Sequence, residues 1–172
     1  MDLLNKLFDI ARQRNRKIVL PEGDDERIIA AAARLAREGI ASPILLGSAE
    51  EITRLAGQHN LSLAGVAIAD PRSDARLQSY GSALSRFRES MTPSMATRLV
   101  SKPIYFAGMM VREGHADAMV AGCANPTRRA IEAGLMTCGL AEGIALPSSY
   151  FLIVVPDFLG KGPKPFVFAD CA

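Results

Sequence analysis

Lys17-Ile18-Val19-Leu20-Pro21-Glu22-Gly23-Asp24-Asp25-Glu26-Arg27 is the stretch that decides how the chain folds. Ile18-Val19-Leu20 is a short, continuous apolar run, the pattern of a strand buried on both faces, and Pro21 through Asp24 break it. Asp24 or Asp25 then caps a helix whose apolar face is Ile28, Ile29, Ala32 and Leu35, and Gly39 suits the left-handed position after its end. Buried strand, polar turn and capped amphipathic helix together form the repeating unit of a parallel sheet.

The pattern continues on both sides. Upstream, Leu3, Leu4, Leu7, Phe8 and Ala11 recur at helical spacing and end before the basic stretch Arg14 to Lys17. Downstream, Pro43 to Leu46 reads as a strand, Gly47 as a turn, and Ser48-Ala49-Glu50-Glu51 as a capping box that opens a helix through about Ala56. Val66 to Ala69 is a third strand, closed by Asp70-Pro71, and a long helix is expected from Ser73 to Arg88. Thr92-Pro93 restarts a helix, Lys102-Pro103 interrupts or kinks the path, and Tyr105 to Glu113 is helical up to Gly114. Ala118 to Ala121 is the fourth strand, followed by a loop and a helix from Thr127 to about Met136. Four short strands alternating with helices predict an α/β fold, a parallel layered sheet with helices on both faces and right-handed crossovers.

After Leu140 the pattern changes. Tyr150 to Val155 and Phe166 to Ala169 read as two strands joined by a long hairpin-like connection with no helix between them. We therefore expect an N-terminal domain at 1–146 and, at 147–172, the start of a second domain; two strands alone have little to pack against, so the chain is expected to be part of a longer protein.

Bulk properties exclude several function classes. Of 172 residues, 49% are hydrophobic and 22% charged, a globular composition without the signature of disorder. Twenty basic and 18 acidic residues give a net charge of +2, and the basic ones are scattered, so nucleic acid is not an expected partner. The longest strongly apolar run, Tyr150 to Val155, falls far short of the ~20 residues of a membrane-spanning helix. The opening Met1-Asp2-Leu3-Leu4-Asn5-Lys6 lacks the features of a secretory signal and reads as a cytoplasmic start. Cys123, Cys138 and Cys171 are odd in number and widely spaced, which argues for reduced, buried thiols rather than a disulfide framework or metal site. Neither a zinc cluster nor a Ser-His-Asp triad can be assembled with only His59 and His115 available.

Ligands of open parallel sheets gather at the carboxyl ends of the strands, where helix N-termini converge. Three such ends stand out. At the first, capping accounts for the acids, whereas Arg27 sits against the helix dipole and has either an ion pair with Asp24 or Asp25 or an anionic ligand to explain it. At the second, Gly122-Cys123-Ala124-Asn125-Pro126-Thr127-Arg128-Arg129, small residues leave the backbone accessible, Thr127 can cap, and two arginines lie in the first helical turn. Asn125, Thr127, Arg128 and Arg129 thus form a candidate phosphate site, equally readable as a surface turn; it is neither a Walker loop nor a Gly-x-Gly-x-x-Gly fingerprint. The third is Ala169-Asp170-Cys171, a carboxylate at a strand end. Arg86 and Arg88 stand near the end of the long helix and oppose its negative pole.

The residues also carry a resemblance. The stretch quoted first, followed by Gly39-Ile40-Ala41-Ser42-Pro43-Ile44-Leu45-Leu46-Gly47, closely resembles the opening of the phosphate acetyltransferases. Tyr105-Phe106-Ala107-Gly108-Met109-Met110, then Gly114 to Gly122, then Ser148-Ser149-Tyr150-Phe151 with Phe166 to Ala172 follow in that family's order. The resemblance implies a two-domain enzyme related in fold to the isocitrate and isopropylmalate dehydrogenases, usually a homodimer. Its implied reaction is acetyl-CoA plus phosphate giving acetyl phosphate plus coenzyme A, in an interdomain cleft, with coenzyme A as a substrate and no metal or other cofactor. A carboxylate would deprotonate the thiol while polar and basic groups stabilise the oxyanion.

Carried over by position, Arg27 and Arg88 match family arginines that face coenzyme A and phosphate. Two departures accompany them. The family's polar pair after the fourth strand is replaced by Cys123-Ala124-Asn125-Pro126, and Glu132 stands where the family has an arginine; Arg128 or Arg129 substitutes for it, the acyl specificity differs, or catalysis is impaired. The family's Ser-Arg pair and catalytic Asp fall outside these 172 residues, so the chain by itself is expected to be inactive. Two other functions fit the same features: a phosphate butyryltransferase-like acyltransferase, and a non-catalytic acyl-CoA-sensing domain, which Glu132 favours.

Overall fold

The computed structural model describes residues 3–169. They separate into two units, Ala11–Gly139 and a remainder drawn from both ends of the chain. In chain order the elements are α1 (Leu3–Arg14), β1 (Lys17–Leu20), α2 (Glu26–Arg37), β2 (Ser42–Leu46), α3 (Ala49–Gln58), β3 (Ala67–Ala69), α4 (Leu77–Phe87), α5 (Pro93–Val100), α6 (Pro103–Arg112), β4 (Ala118–Met119), α7 (Thr127–Thr137), β5 (Tyr150–Val155) and β6 (Lys164–Ala169).

β1 to β4 form one parallel sheet in the order β3-β2-β1-β4, with Val19 opposite Ile44 on one side and Met119 on the other. Successive side chains of a strand point to opposite faces, so each strand feeds two cores. Val19 and Leu46 join Tyr80, Leu84, Phe106 and Met109 beneath α4, α5 and α6. Leu20 and Leu45 join Ile29, Ala32, Ile52 and Ala56 beneath α2 and α3. The expected α/β sheet with helices on both faces is the observed one.

α6 is the central helix: Ile104 through Met110 are all buried, Met109 and Met110 almost completely, as core methionines. Lys102-Pro103 does not kink a longer helix but begins this one, with Pro103 in the first turn, where a missing N–H costs nothing. Close approach fixes its neighbours. A methyl group at Gly108 would overlap Thr137 of α7, and one at Gly81 of α4 would overlap Thr97 of α5.

Three helix starts differ in detail from expectation. The helix expected from Ser73 begins only at Leu77, since the carboxylates of Asp70 and Asp74 accept from the N–H groups of Arg72 and Arg76 and hold the segment in turns. Ser48 caps α3, but Glu51 pairs with Arg54 instead of closing the box. Thr127 is the first helical residue of α7 rather than its cap; Pro126 occupies the capping position without a side-chain bond. Asp25 and Thr92 do cap α2 and α5.

The second unit contains an antiparallel ribbon, β5 paired with β6 so that Phe151 faces Phe168 and Val155 faces Lys164. This is the expected hairpin without a helix. Its connection is closed by Phe158 against Phe166, ring centroids 5.1 Å apart, with the Lys164 ammonium over Phe158. Asp170 and Cys171, the third strand-end candidate, lie outside the described residues. Cys123 and Cys138 are exposed, contrary to the expectation of buried thiols: the Cys123 backbone turns inward to donate a hydrogen bond, which sends its side chain out.

Candidate functional site

The strand order reverses beside β1, since β2 and β3 build outward on one side and β4 is added on the other. The carboxyl ends of β1 and β4 thus form the topological switch point, the place at which open α/β sheets bind ligands, and a crevice opens there between the β1 and β4 loops on one side and the start of α6 on the other. A cavity of about 460 Å³ occupies this position, lined from the β1 loop by Glu22 and Asp24, from the start of α6 by Lys102 and Tyr105, and from the β4 loop and α7 by Asn125 and Arg129. An adjoining cleft of about 270 Å³ continues over the ends of β2 and β3, past Ser48, Asp70 and Arg72.

Glu22 organises the crevice. It is only 2% exposed, and its carboxylate accepts hydrogen bonds from the backbone N–H groups of Gly122 (3.2 Å to each oxygen), Cys123 (2.9 Å), Ala124 (3.0 Å) and Asn125 (2.7 Å). The Asn125 side-chain amide adds a fifth donor at 2.8 Å. Burial pushes the carboxyl pKa up, but the hydrogen bonds from the Asn125 side chain and from the N–H groups of Cys123, Asn125 and Ala124 outweigh it and hold Glu22 below the usual glutamate value. Four consecutive loop amides thus wrap an internal anion, helped by Gly122 at φ 116°, a conformation that L side chains rarely adopt.

This corrects the reading of the loop as a backbone cradle for phosphate, because the donors that a phosphate would use are already engaged. What remains for a ligand is side-chain charge. Lys102 and Arg129 are exposed on the rim, and the N-terminal ends of α6 and α7 border the crevice with their positive poles. Tyr105 donates its hydroxyl to Glu132 at 3.1 Å; burial, then that hydrogen bond, raises the phenol pKa. Glu132 therefore has a tyrosine partner on this wall.

The remaining candidates fall in different places. Arg27 makes the ion pair with Asp25, Nε to Oδ1 at 2.9 Å and Nη2 to Oδ2 at 2.6 Å, and also donates to the Cys123 carbonyl at 3.2 Å, tying the β1 and β4 loops together. That pairing lowers the Asp25 carboxyl to about 2 and raises the guanidinium of Arg27. Asn125 and Arg129 line the crevice, whereas Thr127 and Arg128 begin α7 as exposed residues outside its lining. Arg88 is elsewhere. It donates to the Met136 carbonyl at 3.1 Å and to that of Leu135, at the C-terminal end of α7, while its guanidinium lies over Phe87. Leu135 and Met136 follow Arg129 of the crevice lining by six and seven residues, which at about 1.5 Å each is roughly 9–11 Å along the helix axis. The expectation that Arg88 serves the pole of its own helix is replaced by service to another helix.

Sequence reasoning missed Glu22, Lys102 and Tyr105 as site residues. Only Glu22 carried a signal: among the acids of the first loop it precedes Gly23, too early to cap α2, so the capping expected to account for these acids does not account for it.

Residues 2–172 match the family described as phosphate acetyl/butaryl transferase. A phosphate acetyltransferase of Acetivibrio thermocellus is 38% identical over 173 residues, covering 99% of this chain and 52% of that protein. One from Clostridium acetobutylicum is 30% identical over 174 residues, 100% of this chain and 52% of the relative. Among solved structures, the EutD phosphotransacetylase from Staphylococcus aureus superposes with a TM-score of 0.88 at 31% identity, covering 99% of this chain and 50% of that one. A phosphotransacetylase from Streptococcus pyogenes gives 0.89 at 31% identity over 100% of this chain and 52% of that one. The chain spans about half the length of the curated relatives it matches. A match along nearly its whole length, with the same fold beneath it, makes this chain a member of the phosphate acetyl/butaryl transferase family.

Proposed function

We propose that the complete protein is a phosphate acetyltransferase, exchanging an acetyl group between coenzyme A and inorganic phosphate, and that this chain supplies one wall of its substrate cleft. The observation that carries the reading is the switch-point crevice with Lys102 and Arg129 on its rim: coenzyme A brings a pyrophosphate and a ribose phosphate, and side-chain cations beside two helix N-termini suit them. Arg27 and Asn125 belong to the same wall, Thr127 and Arg128 border it, and Arg88 would reach substrate only by leaving the carbonyls it now holds. Coenzyme A acts as a substrate, with no metal or further cofactor.

The finer reading is that of a cytoplasmic homodimer whose second domain begins at about 147 and whose acyl-transfer groups come from outside these residues. No helix among the described residues is long and apolar enough to cross a membrane, which is compatible with that location. Calorimetric titration of coenzyme A into this chain should show saturable binding that weakens with salt, while acetyl phosphate formation should require the complete protein. Binding insensitive to Arg129→Ala would sink the assignment of the cleft wall. The acyl-CoA-sensing alternative draws on the engagement of Glu132 by Tyr105 in place of an arginine, and undetectable turnover by the complete protein would decide in its favour. Butyryl-CoA outcompeting acetyl-CoA as a substrate would instead select the butyryltransferase.

A further inference from the structure

Glu22 and the loop that follows β4 are separated by about 100 residues, yet one carboxylate gathers four successive backbone amides and a side-chain amide of that loop. Such a concave run of N–H groups ordinarily binds anions from solution. Here the anion is part of the protein, buried, and charged at neutral pH. Two consequences follow. A second anion is excluded from the amides by the negative charge already there, so a ligand phosphate must be held by Lys102 and Arg129. And the loop has one conformation in which all five donors are satisfied, which fixes the direction in which α7 leaves it. Arg129, in the first turn of α7, is thereby placed in the lining of the crevice.

We propose that Glu22 is the positioning residue of the crevice, an internal anion that closes the loop amides to phosphate and presents Arg129 to the phosphate groups of a coenzyme A-type ligand. The proposal rests on the reading of the crevice as a coenzyme A site. Glu22 contacts no ligand in this scheme; it acts through the loop. Arg27 contributes from the other side, since its bond to the Cys123 carbonyl fixes the outer surface of the same loop.

Glu22→Gln, Arg129→Ala and their combination separate this role from general stabilisation. Glutamine keeps the shape but offers a single acceptor oxygen and turns an N–H toward the loop; with that oxygen in the Oε1 position, the Cys123 amide loses its partner and Gly122 keeps one of its two. Glu22 and Arg129 share no hydrogen bond, so their effects on unfolding free energy should add. Their effects on binding should not: each single variant is expected to weaken coenzyme A binding by about tenfold, and the double variant by about tenfold in total rather than a hundredfold. Additive losses, or wild-type affinity in Glu22→Gln, would overturn the proposal.

A second measurement needs neither variant nor ligand. Amide hydrogen exchange of the complete wild-type protein should show Cys123, Ala124 and Asn125 protected well beyond the loop amides of the exposed β5–β6 connection; unprotected amides there would also overturn it. If wild-type protein binds no coenzyme A while these amides remain protected, the reading of the crevice fails, and with it the ligand-directed role of Glu22; fast exchange together with normal binding refutes the positioning role alone.

Discussion

The two ends of α7 are both held by charged side chains from distant parts of the chain, and they are held differently. Before its N-terminus, one buried carboxylate, Glu22, accepts from the loop that delivers the helix. Past its C-terminus, two arginines act together. Arg88 donates to the carbonyls of Leu135 and Met136, and Arg112 to that of Thr137 at 3.1 Å, the two guanidinium groups flanking Phe87. Both signs agree with the helix dipole. Each end also turns on a glycine of positive φ, Gly122 and Gly139, the latter pressed against the Phe87 ring.

The difference lies in what each arrangement leaves over. Arginines bring more donors than the carbonyls need and remain partly in water, so that end is robust. Glu22 is only 2% exposed and is the shared acceptor of all five donors, so the end nearest the crevice depends chiefly on one group. Placement at the ligand end is decided by one residue, and anchorage at the far end is shared.

The sharpest way to break this comparison is Glu22→Leu, which removes the shared acceptor of five donors. It should cost about 3–5 kcal/mol, read as a shift in urea midpoint, and a loss below that of Arg88→Ala would invert the comparison. Acid should act on the same end next. Glu22 and Asp25 are held below their unfolded values, about 4.3 and 3.9. Both therefore stabilise the fold fully above those values, and the contribution fades as pH falls through the folded ones, about 2 for Asp25. Melting temperature should drop between roughly pH 4 and pH 2, and Glu22→Gln should flatten part of that drop; an unchanged profile in the variant would mean that Glu22 is not charged in the fold.

Gly108→Ala tests the packing of α6 against the C-terminal end of α7. The added methyl meets the buried Thr137, and pushing the helices apart should cost about 1–3 kcal/mol in thermal or urea unfolding. Arg88→Ala should cost less, about 1–2 kcal/mol, because Arg112 stays in place and water can reach the released carbonyls; coenzyme A affinity should change far less than in Arg129→Ala. Arg54→Ala, which removes an exposed pair with Glu51, should stay within about 0.5 kcal/mol and marks the floor of the series.

Much of the fold was legible because its signals are local. Apolar runs, the caps Asp25 and Thr92, Pro103 in a first turn and Gly39 after α2 each report on neighbours within a few residues. The errors arose where a local rule had two users. Asp70 and Asp74 took N–H groups that a helix was expected to use, and Glu51 took an arginine in place of a capping bond. The site was legible in outline only. Strand ends and their arginines pointed to the crevice through Asn125 and Arg129, whereas the resemblance to the family, carried over by position, sent Arg88 there too.

By itself the sequence determined the kind of layered sheet, the order of its elements and the family, since periodicity, capping and ordered motifs are written along the chain. Tertiary structure alone decided which charges meet. The opening stretch contains four acids, and nothing within it shows that, while Asp25 caps its own helix and holds Arg27, Glu22 reaches a loop a hundred residues away. That distinction depends on β4 lying beside β1. Only this pairing brings the second loop within hydrogen-bonding distance of the first, and the low-dielectric interior then makes one buried carboxylate matter more than the exposed charges around it.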